Sequence, residues 1–315
     1  MYNRVERIMI HCRRKDQDMN ETSHLNDGDV QIGLAPAIVV GIDGSHRAIA
    51  AALWAVDEAV GRDIPLRLVY VVEPRNEADQ VLYAAHDLAT GEIATQSAIM
   101  AVQSTDQPVK IEVEIAQGSP ADALIRQSCA AAMVCVGALS AHRASDRRAS
   151  STLAPLSARA HCPVTIVRQH RPANSRHGSV LIEFEDTPDC DDLLESGFQT
   201  AQLRGIDVRI FAGWTNKFAL GDRSYSAAET AAMMQARLER KLAPWRLRYP
   251  DVEASTVAVP GTVVEYLSQH GDSIQIAVVG RRRRGGVGEF IYPSAGVASN
   301  LGGFATMVCG RGRSL

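Results

Sequence analysis

The chain repeats itself, and that constrains its fold more than any other feature. Laying "IVVGIDGS" (38–45) over "VLIEFEDT" (180–187) sets an offset of 142 residues, and the same offset brings "DIPLRLVY" (63–70) over "GIDVRIFA" (205–212) without a gap. At an offset of 143, Gly118 falls on Gly261, Val136 and Gly137 on Val279 and Gly280, and Ser151 on Ser294. A period of about 140 residues is too long for a solenoid and has the size of a domain. The 315 residues therefore divide into two homologous modules.

Within each module, strands and helices alternate. In the first, "AIVVGID" reads as a buried strand, and "SHRAIAAALWAVDEAVGRD" carries apolar residues at helical spacing behind a serine cap. "PLRLVYVVE" is a second strand, 78–104 is mostly helical, and "VKIEVEIA" is a third strand. "SPADALIRQSCAAA" starts a helix with serine and proline, "MVCVGA" is a strand, "STLAPLSARA" a helix and "CPVTIVR" a last strand. Strands separated by helices, several of them continuously apolar, predict an α/β fold with a parallel sheet covered on both faces. The expected division is a mobile extension over 1–36, module 1 over 37–168, a polar linker over 169–178 and module 2 over 179–315, with Met19 an alternative start. Ligands of such sheets bind at the carboxyl ends of the strands. Attention therefore falls on the segments after Ile42 and Val136.

A formal charge of −3 and a pI near 6.3 leave no global positive field to draw the chain to nucleic acid or a membrane surface. The six cysteines are scattered without a C-x-x-C pair, the pattern of reduced, buried thiols. No apolar stretch approaches the ~20 residues that span a bilayer, and "IMIHC" is too short for a signal-peptide core. A cytoplasmic protein is expected.

Two loops carry candidate chemistry. In "GIDGS", Asp43 can accept hydrogen bonds from a ribose or base, Gly44 permits an unusual backbone angle and Ser45 caps the next helix; an ordinary strand-to-helix turn reads the same way. The second loop follows the strand ending at Val136 or Val279. In module 2 it reads Gly280, four arginines from Arg281 to Arg284, Gly285, Gly286, and then Pro293 and Ser294 opening a helix. Glycine amides and a serine at a helix N-terminus can receive an anion, and arginines can neutralise it; composition alone also allows a solvated turn. Neither a G-x-x-x-x-G-K-[ST] loop nor a G-x-G-x-x-G turn is present. The acids of "EDTPDCDD" complement a helix dipole rather than pointing to a metal. Four arginines without neighbouring aromatics predict no specific nucleic-acid binding.

Taken together, "VVGIDGS", "QGSPADALI" and the late Gly/Arg loop followed by serine resemble the universal stress protein family, in its tandem two-module form found in mycobacteria. The resemblance runs from Ala37 to Arg311. It implies two Rossmann-like, adenine-nucleotide-binding modules, each a five-stranded parallel sheet flanked by helices. It also implies a role in stress adaptation rather than a metabolic reaction.

In the ATP-binding branch the late loop reads Gly, two residues, Gly, nine residues, then Gly-Ser or Gly-Thr. Module 1 keeps Gly137, has Ser140 and Ser150 at the next two glycine positions, and keeps Ser151. Arg143 and Arg147 match the phosphate-side arginines, and Thr152 follows. Module 2 keeps Gly280 and Ser294 but has Arg283 and Pro293 at the glycine positions; Arg284, Gly285 and Gly286 match. On the first strand, module 1 keeps Gly41, Asp43, Gly44 and Ser45, where module 2 has Glu183, Glu185, Asp186 and Thr187. A carboxylate about 4 Å from a phosphate costs on the order of 4 kcal/mol at an effective dielectric of 20. Module 1 is therefore the expected site for ATP or a related adenine nucleotide, with magnesium only as the nucleotide's counter-ion. In module 2, Glu185 or Asp186 is expected to pair with some of Arg281 to Arg284.

The implied function is a regulatory sensor with an adenine nucleotide and an unidentified regulatory protein as partners. The alternative is a degenerate, nucleotide-independent tandem scaffold; ATP hydrolysis lacks a convincing base or metal pair. The final strands of the two modules are expected to pair about an internal pseudo-twofold axis, and a homodimer is open.

Overall fold

The apolar run after residue 36 forms β2 (Ile38–Ile42), every residue of which is buried except the half-buried Gly41. The computed structural model describes residues 5–11, 36–73, 77–138, 147–170, 178–187, 189–214, 226–291 and 303–310, with backbone alone for 5–11, 77–84 and 147–150. Module 1 continues through α1 (His46–Arg62), β3 (Leu66–Val72), α2 (Glu77–Gln103), β4 (Ile111–Gln117), α3 (Pro120–Gln127), β5 (Met133–Gly137), α4 (Arg147–Arg159) and β6 (Val164–Val167). Module 2 repeats the order with β7 (Ser179–Glu183), α5 (Cys190–Arg204), β8 (Asp207–Trp214), α6 (Ala227–Arg248), β9 (Ala254–Pro260), α7 (Val263–His270), β10 (Ile274–Gly280), α8 (Gly288–Ile291) and β11 (Ala305–Cys309).

The strand order is β4-β3-β2-β5-β6 in module 1 and β9-β8-β7-β10-β11 in module 2, parallel throughout each module. The chain crosses from β3 and β4 on one side of β2 to β5 and β6 on the other. The crevice at the carboxyl ends of β2 and β5 is thus a topological switch point, and β7 with β10 repeats it. The modules meet where β6 and β11 pair antiparallel, Thr306 opposite Ile166 and Val308 opposite Val164, as expected for two copies joined through their last strands. One sheet of eleven strands results.

The eleventh strand departs from the sequence reading. Residues 5–11, expected within a mobile extension, form β1 (Val5–His11) and pair parallel with β4 at the sheet edge. An edge strand needs only main-chain partners on one side, so its short apolar run left little periodicity to read.

One apolar cluster spans both modules on a single face of the sheet, joining Trp54 and Val56 of α1 to Phe198 of α5 and Leu242 of α6. The opposite face carries a separate core in each module, under α3 and α4 in one and under α7 and α8 in the other. Polar clasps join the halves. Arg204 of α5 is buried against α1, donating to Glu58 at 2.9 Å, to Asp57 at 3.3 Å and to the Trp54 carbonyl at 3.2 Å, with its guanidinium 4.3 Å from the Trp54 ring centre. Burial pushes the thiols of Cys162 and Cys309 up to about 12, so both stay protonated near neutrality. Among the described residues no helix is long and apolar enough to cross a membrane.

Candidate functional site

In module 1 the chain leaves β2 at Ile42 and turns into α1 within three residues. Asp43 is exposed, and its Oδ1 accepts a hydrogen bond from the Ser45 amide at 2.9 Å. Gly44 sits at φ +80°, where a side chain would strain the backbone. Ser45 is the N-cap of α1, its Oγ accepting from the Ala48 amide at 3.2 Å. The first turn of α1 holds no acidic residue, so the positive end of the helix is uncompensated from within.

Gly137, the last residue of β5, lies against that same turn. A Cβ there would fall 2.7 Å from the Arg47 carbonyl carbon and 2.9 Å from the Ala48 nitrogen, both backbone atoms that cannot step aside. A Cβ on Gly41 would come 3.1 Å from a Leu124 methyl group, which would have to give by a few tenths of an ångström. Close packing of the strand end against α1 thus requires Gly137, independently of any ligand. Arg47 donates from Nη1 to the Ala138 carbonyl at 2.9 Å, fixing the start of the late loop over α1.

The remaining module 1 candidates are less gathered. Arg143 lies outside the described residues, and Arg147 is the first residue of α4. Ser151, expected at a helix N-terminus, sits in the second turn of α4 and is exposed, with Thr152 half-buried beside it. The helix starts four residues earlier than its sequence suggested, with "RRAS" forming its first turn.

Module 2 has filled the corresponding place with its own side chains. Arg283 is buried and grips Glu183 with two parallel hydrogen bonds, Nε to Oε2 at 2.6 Å and Nη2 to Oε1 at 3.0 Å. Its Nη1 donates to the Gly286 carbonyl and to Glu289 at 3.3 Å, and the guanidinium lies 5.0 Å from the Phe290 ring centre. Burial raises the Glu183 carboxyl above its ordinary value, against the hydrogen bonds and charge of Arg283 that lower it. For Arg283, burial works downward, but Glu183 and Glu289 together hold it above the usual arginine value.

The expected partners in module 2 therefore need correction. Glu183, expected to oppose a phosphate, pairs with Arg283 instead. Glu185 accepts from the Arg284 amide at 3.2 Å, and Asp186 pairs with Arg237 of α6. Arg282 lies 3.8 Å from Asp189, while Arg281 reaches into module 1 to donate to the carbonyls of Ala160 and, at 3.2 Å, Cys162. Gly285 and Gly286 serve this arrangement. A Cβ on Gly285 would fall 2.9 Å from Arg283 Nη1, and Gly286, at φ +67°, presents the carbonyl that Arg283 binds. Gly280 has room for a Cβ, and Ser294 lies outside the described residues.

A surface depression of about 590 Å³ lies elsewhere, between α5 and α6. Its Lys241 pairs with Asp191 at 2.5 Å and its Arg248 with Glu195, so two of its cations are already neutralised by its own acids.

Comparison with known proteins bears on this geometry. The model of the Universal stress protein family matches residues 36–168. Universal stress protein Rv2028c of Mycobacterium tuberculosis is 44% identical over 250 residues, covering 78% of this chain and 85% of the relative. The chain belongs to the universal stress protein family. A second Mycobacterium tuberculosis member, Rv2624c, is 34% identical over 259 residues, covering 82% of this chain and 90% of the relative. Among solved structures, a universal stress protein from Archaeoglobus fulgidus superposes with a TM-score of 0.62 at 15% identity, over 89% of this chain and 97% of that one. That likeness supports the two-module α/β fold.

Within this universal stress protein, the signals missed at sequence level were long-range. The partners Glu183 and Arg283 are 100 residues apart and Arg204 and Glu58 146 apart, and no spacing rule links such pairs. Arg47 was findable in principle, as a cation in the first turn of a helix that opens a candidate site.

Proposed function

We propose that this universal stress protein binds ATP or a related adenine nucleotide in module 1 and acts as a regulatory sensor in the stress response rather than as a metabolic enzyme. The observation that carries this reading is the contrast between the two switch points. In module 1 Asp43 is exposed at the end of β2 beside the uncompensated first turn of α1. In module 2 the same place holds the buried Glu183–Arg283 pair. The residues of module 1 fit an adenine nucleotide: Asp43 offers an acceptor for a ribose or base, and the α1 terminus favours negative charge. Those of module 2 do not, because a ligand would have to displace a bidentate ion pair and face Glu183.

Equilibrium binding of ATP, ADP and cyclic AMP to the purified chain tests the reading. Binding that Asp43→Ala weakens supports it; no binding of any of the three at millimolar ligand ends it. A second reading, a nucleotide-independent scaffold, is favoured for module 2 by the same ion pair and by Arg281, which spends its guanidinium holding the modules together. Thermal stability unmoved by every nucleotide would extend the scaffold reading to the whole chain.

A further inference from the structure

The eleven-stranded sheet ends in two edges that differ in kind. One is β1, laid on β4; the other is β9, the counterpart of β4 in module 2. The correspondence holds residue for residue, since Leu66 pairs with Ile111 in module 1 and Val208 with Ala254 in module 2, at the offsets of 142 and 143. Beside β1, Ile111, Val113, Ile115 and Ala116 of β4 are buried, whereas no residue of β9 is. The outer edge of β1 is guarded. Its sequence holds Glu6 and Arg7, and it spends three residues, from Val5 to Ile8, where β4 advances by two. Charges and bulges of this kind keep edge strands from further pairing. β9, "ASTVAVP", has no charged residue and pairs with β8 without a register shift.

The open groups of β9 follow from its ladder. The Val208 amide donates to the Glu253 carbonyl and the Gly261 amide to the Trp214 carbonyl, each at 2.8 Å. Along a regular strand the odd-numbered residues therefore turn their backbone to β8, and Ala254, Thr256, Ala258 and Pro260 turn theirs outward. Among the described residues nothing meets the outward N–H and carbonyl of Thr256 and Ala258. Ala254 offers its N–H alone, because its carbonyl already accepts from Arg246 at 2.8 Å. Pro260 offers its carbonyl alone, having no N–H. This set of groups is complementary to itself. In an antiparallel pair centred on Val257, Thr256 of one copy faces Ala258 of the other, and the two exchange both main-chain bonds. Ala254 then faces Pro260 and donates to its carbonyl, while the donor that proline lacks falls opposite the carbonyl that Arg246 has taken.

The neighbouring flank of α6 suits the same symmetry. Gln235 and Glu239 hydrogen-bond the Thr256 hydroxyl and Arg246 the Ala254 carbonyl, so this side of α6 stands over β9. Next to it Ala232, Ala236 and Ala243, at spacings of four and seven, form an exposed alanine flank, and small side chains let a second helix come close. We infer that β9 is a self-association edge, taking β9 of a second copy in antiparallel register about Val257, so that one sheet runs through a closed homodimer. A strand pair alone falls short of the roughly 800 Å² per partner that a stable interface buries, and the alanine flank of α6 supplies further contact. The assembly stops at two copies because pairing through β9 uses the same surface of both subunits and leaves only the guarded β1 edges outside.

Sedimentation of the full chain over a concentration series tests the inference, with hydrogen exchange of the β9 amides as the local readout. The expected result is a dimer of twice 34.0 kDa in equilibrium with monomer, the Thr256 and Ala258 amides being protected in the dimer and exchanging freely on dilution. Ala258→Pro removes an outward N–H and no bond to β8, and is expected to raise the dissociation constant roughly 100-fold while circular dichroism stays native. Should that variant fail to fold, the exchange measurement on the native chain decides by itself. A native chain that stays monomeric at high micromolar concentration overturns the inference. So does a dimer in which the Thr256 and Ala258 amides exchange as fast as in the monomer, or one that a folded Ala258→Pro variant forms equally well. Masses that grow past the dimer with concentration overturn the closed assembly.

Discussion

Replacing Arg283 by methionine keeps the length of the side chain but removes its charge, and leaves Glu183 buried at the end of β7 with no partner for its two oxygens. With charge centres about 4 Å apart and an effective dielectric near 20, the attraction lost is about 4 kcal/mol. Measured losses on breaking one side of a buried pair are about 3–5 kcal/mol, which agrees. Removing both charges in Glu183→Leu/Arg283→Met leaves no orphan, and the double variant is expected within about 2 kcal/mol of the native chain. Urea unfolding of the native chain, both single variants and the double variant closes the cycle.

The pH dependence of the single variant gives a second check. Burial alone already raises the Glu183 carboxyl, and without Arg283 it rises further. A carboxyl whose folded pKa exceeds its unfolded value binds its proton more tightly in the native state, so folding loses stability as pH rises. The deficit of Arg283→Met is therefore smallest below about pH 4, where Glu183 is mostly protonated in both states, and it grows as pH rises above the unfolded value until it levels off above the folded one. A cost below about 1 kcal/mol at pH 7, or single-variant effects that simply add in the double variant, would refute the closed ion pair as the occupant of module 2.

Three other perturbations bear on site and fold. Gly137→Ala forces a Cβ to 2.7 Å from the α1 backbone and should cost roughly 1–3 kcal/mol in denaturant unfolding while weakening ATP in calorimetry. Ser45→Ala removes the α1 cap and should cost about 1 kcal/mol by the same unfolding assay. Arg204→Ala strips the inter-module clasp from the fully buried Glu58, leaving it only Arg62; about 2–4 kcal/mol should be lost, and a single calorimetric unfolding transition should broaden or split as the modules uncouple.

How far the sequence reached follows from what kind of information each feature needs. The modules and their strands were legible because buried parallel strands are apolar runs, and because two copies of one pattern reinforce each other. The joining of β6 to β11 was legible for a related reason: each is an apolar last strand that would otherwise be left as an open edge. Main-chain pairing of β1 with β4 left no such trace. The fate of the four arginines was also hidden. Their composition reads as a phosphate wall, yet Arg281 is spent on the module interface and Arg283 on Glu183, pairings fixed only once β7 and β10 lie side by side. Arg47 and the Ala138 carbonyl it binds are likewise far apart in sequence, and only the fold brings them together.

The central claim is that one module binds the nucleotide and the other is closed by its own side chains. Calorimetric stoichiometry with ATP tests it most directly. The account predicts one ATP per chain, lost in Asp43→Ala and unchanged in Glu183→Leu/Arg283→Met; two sites per chain, or a single site that survives Asp43→Ala and disappears with the module 2 substitutions, would contradict it.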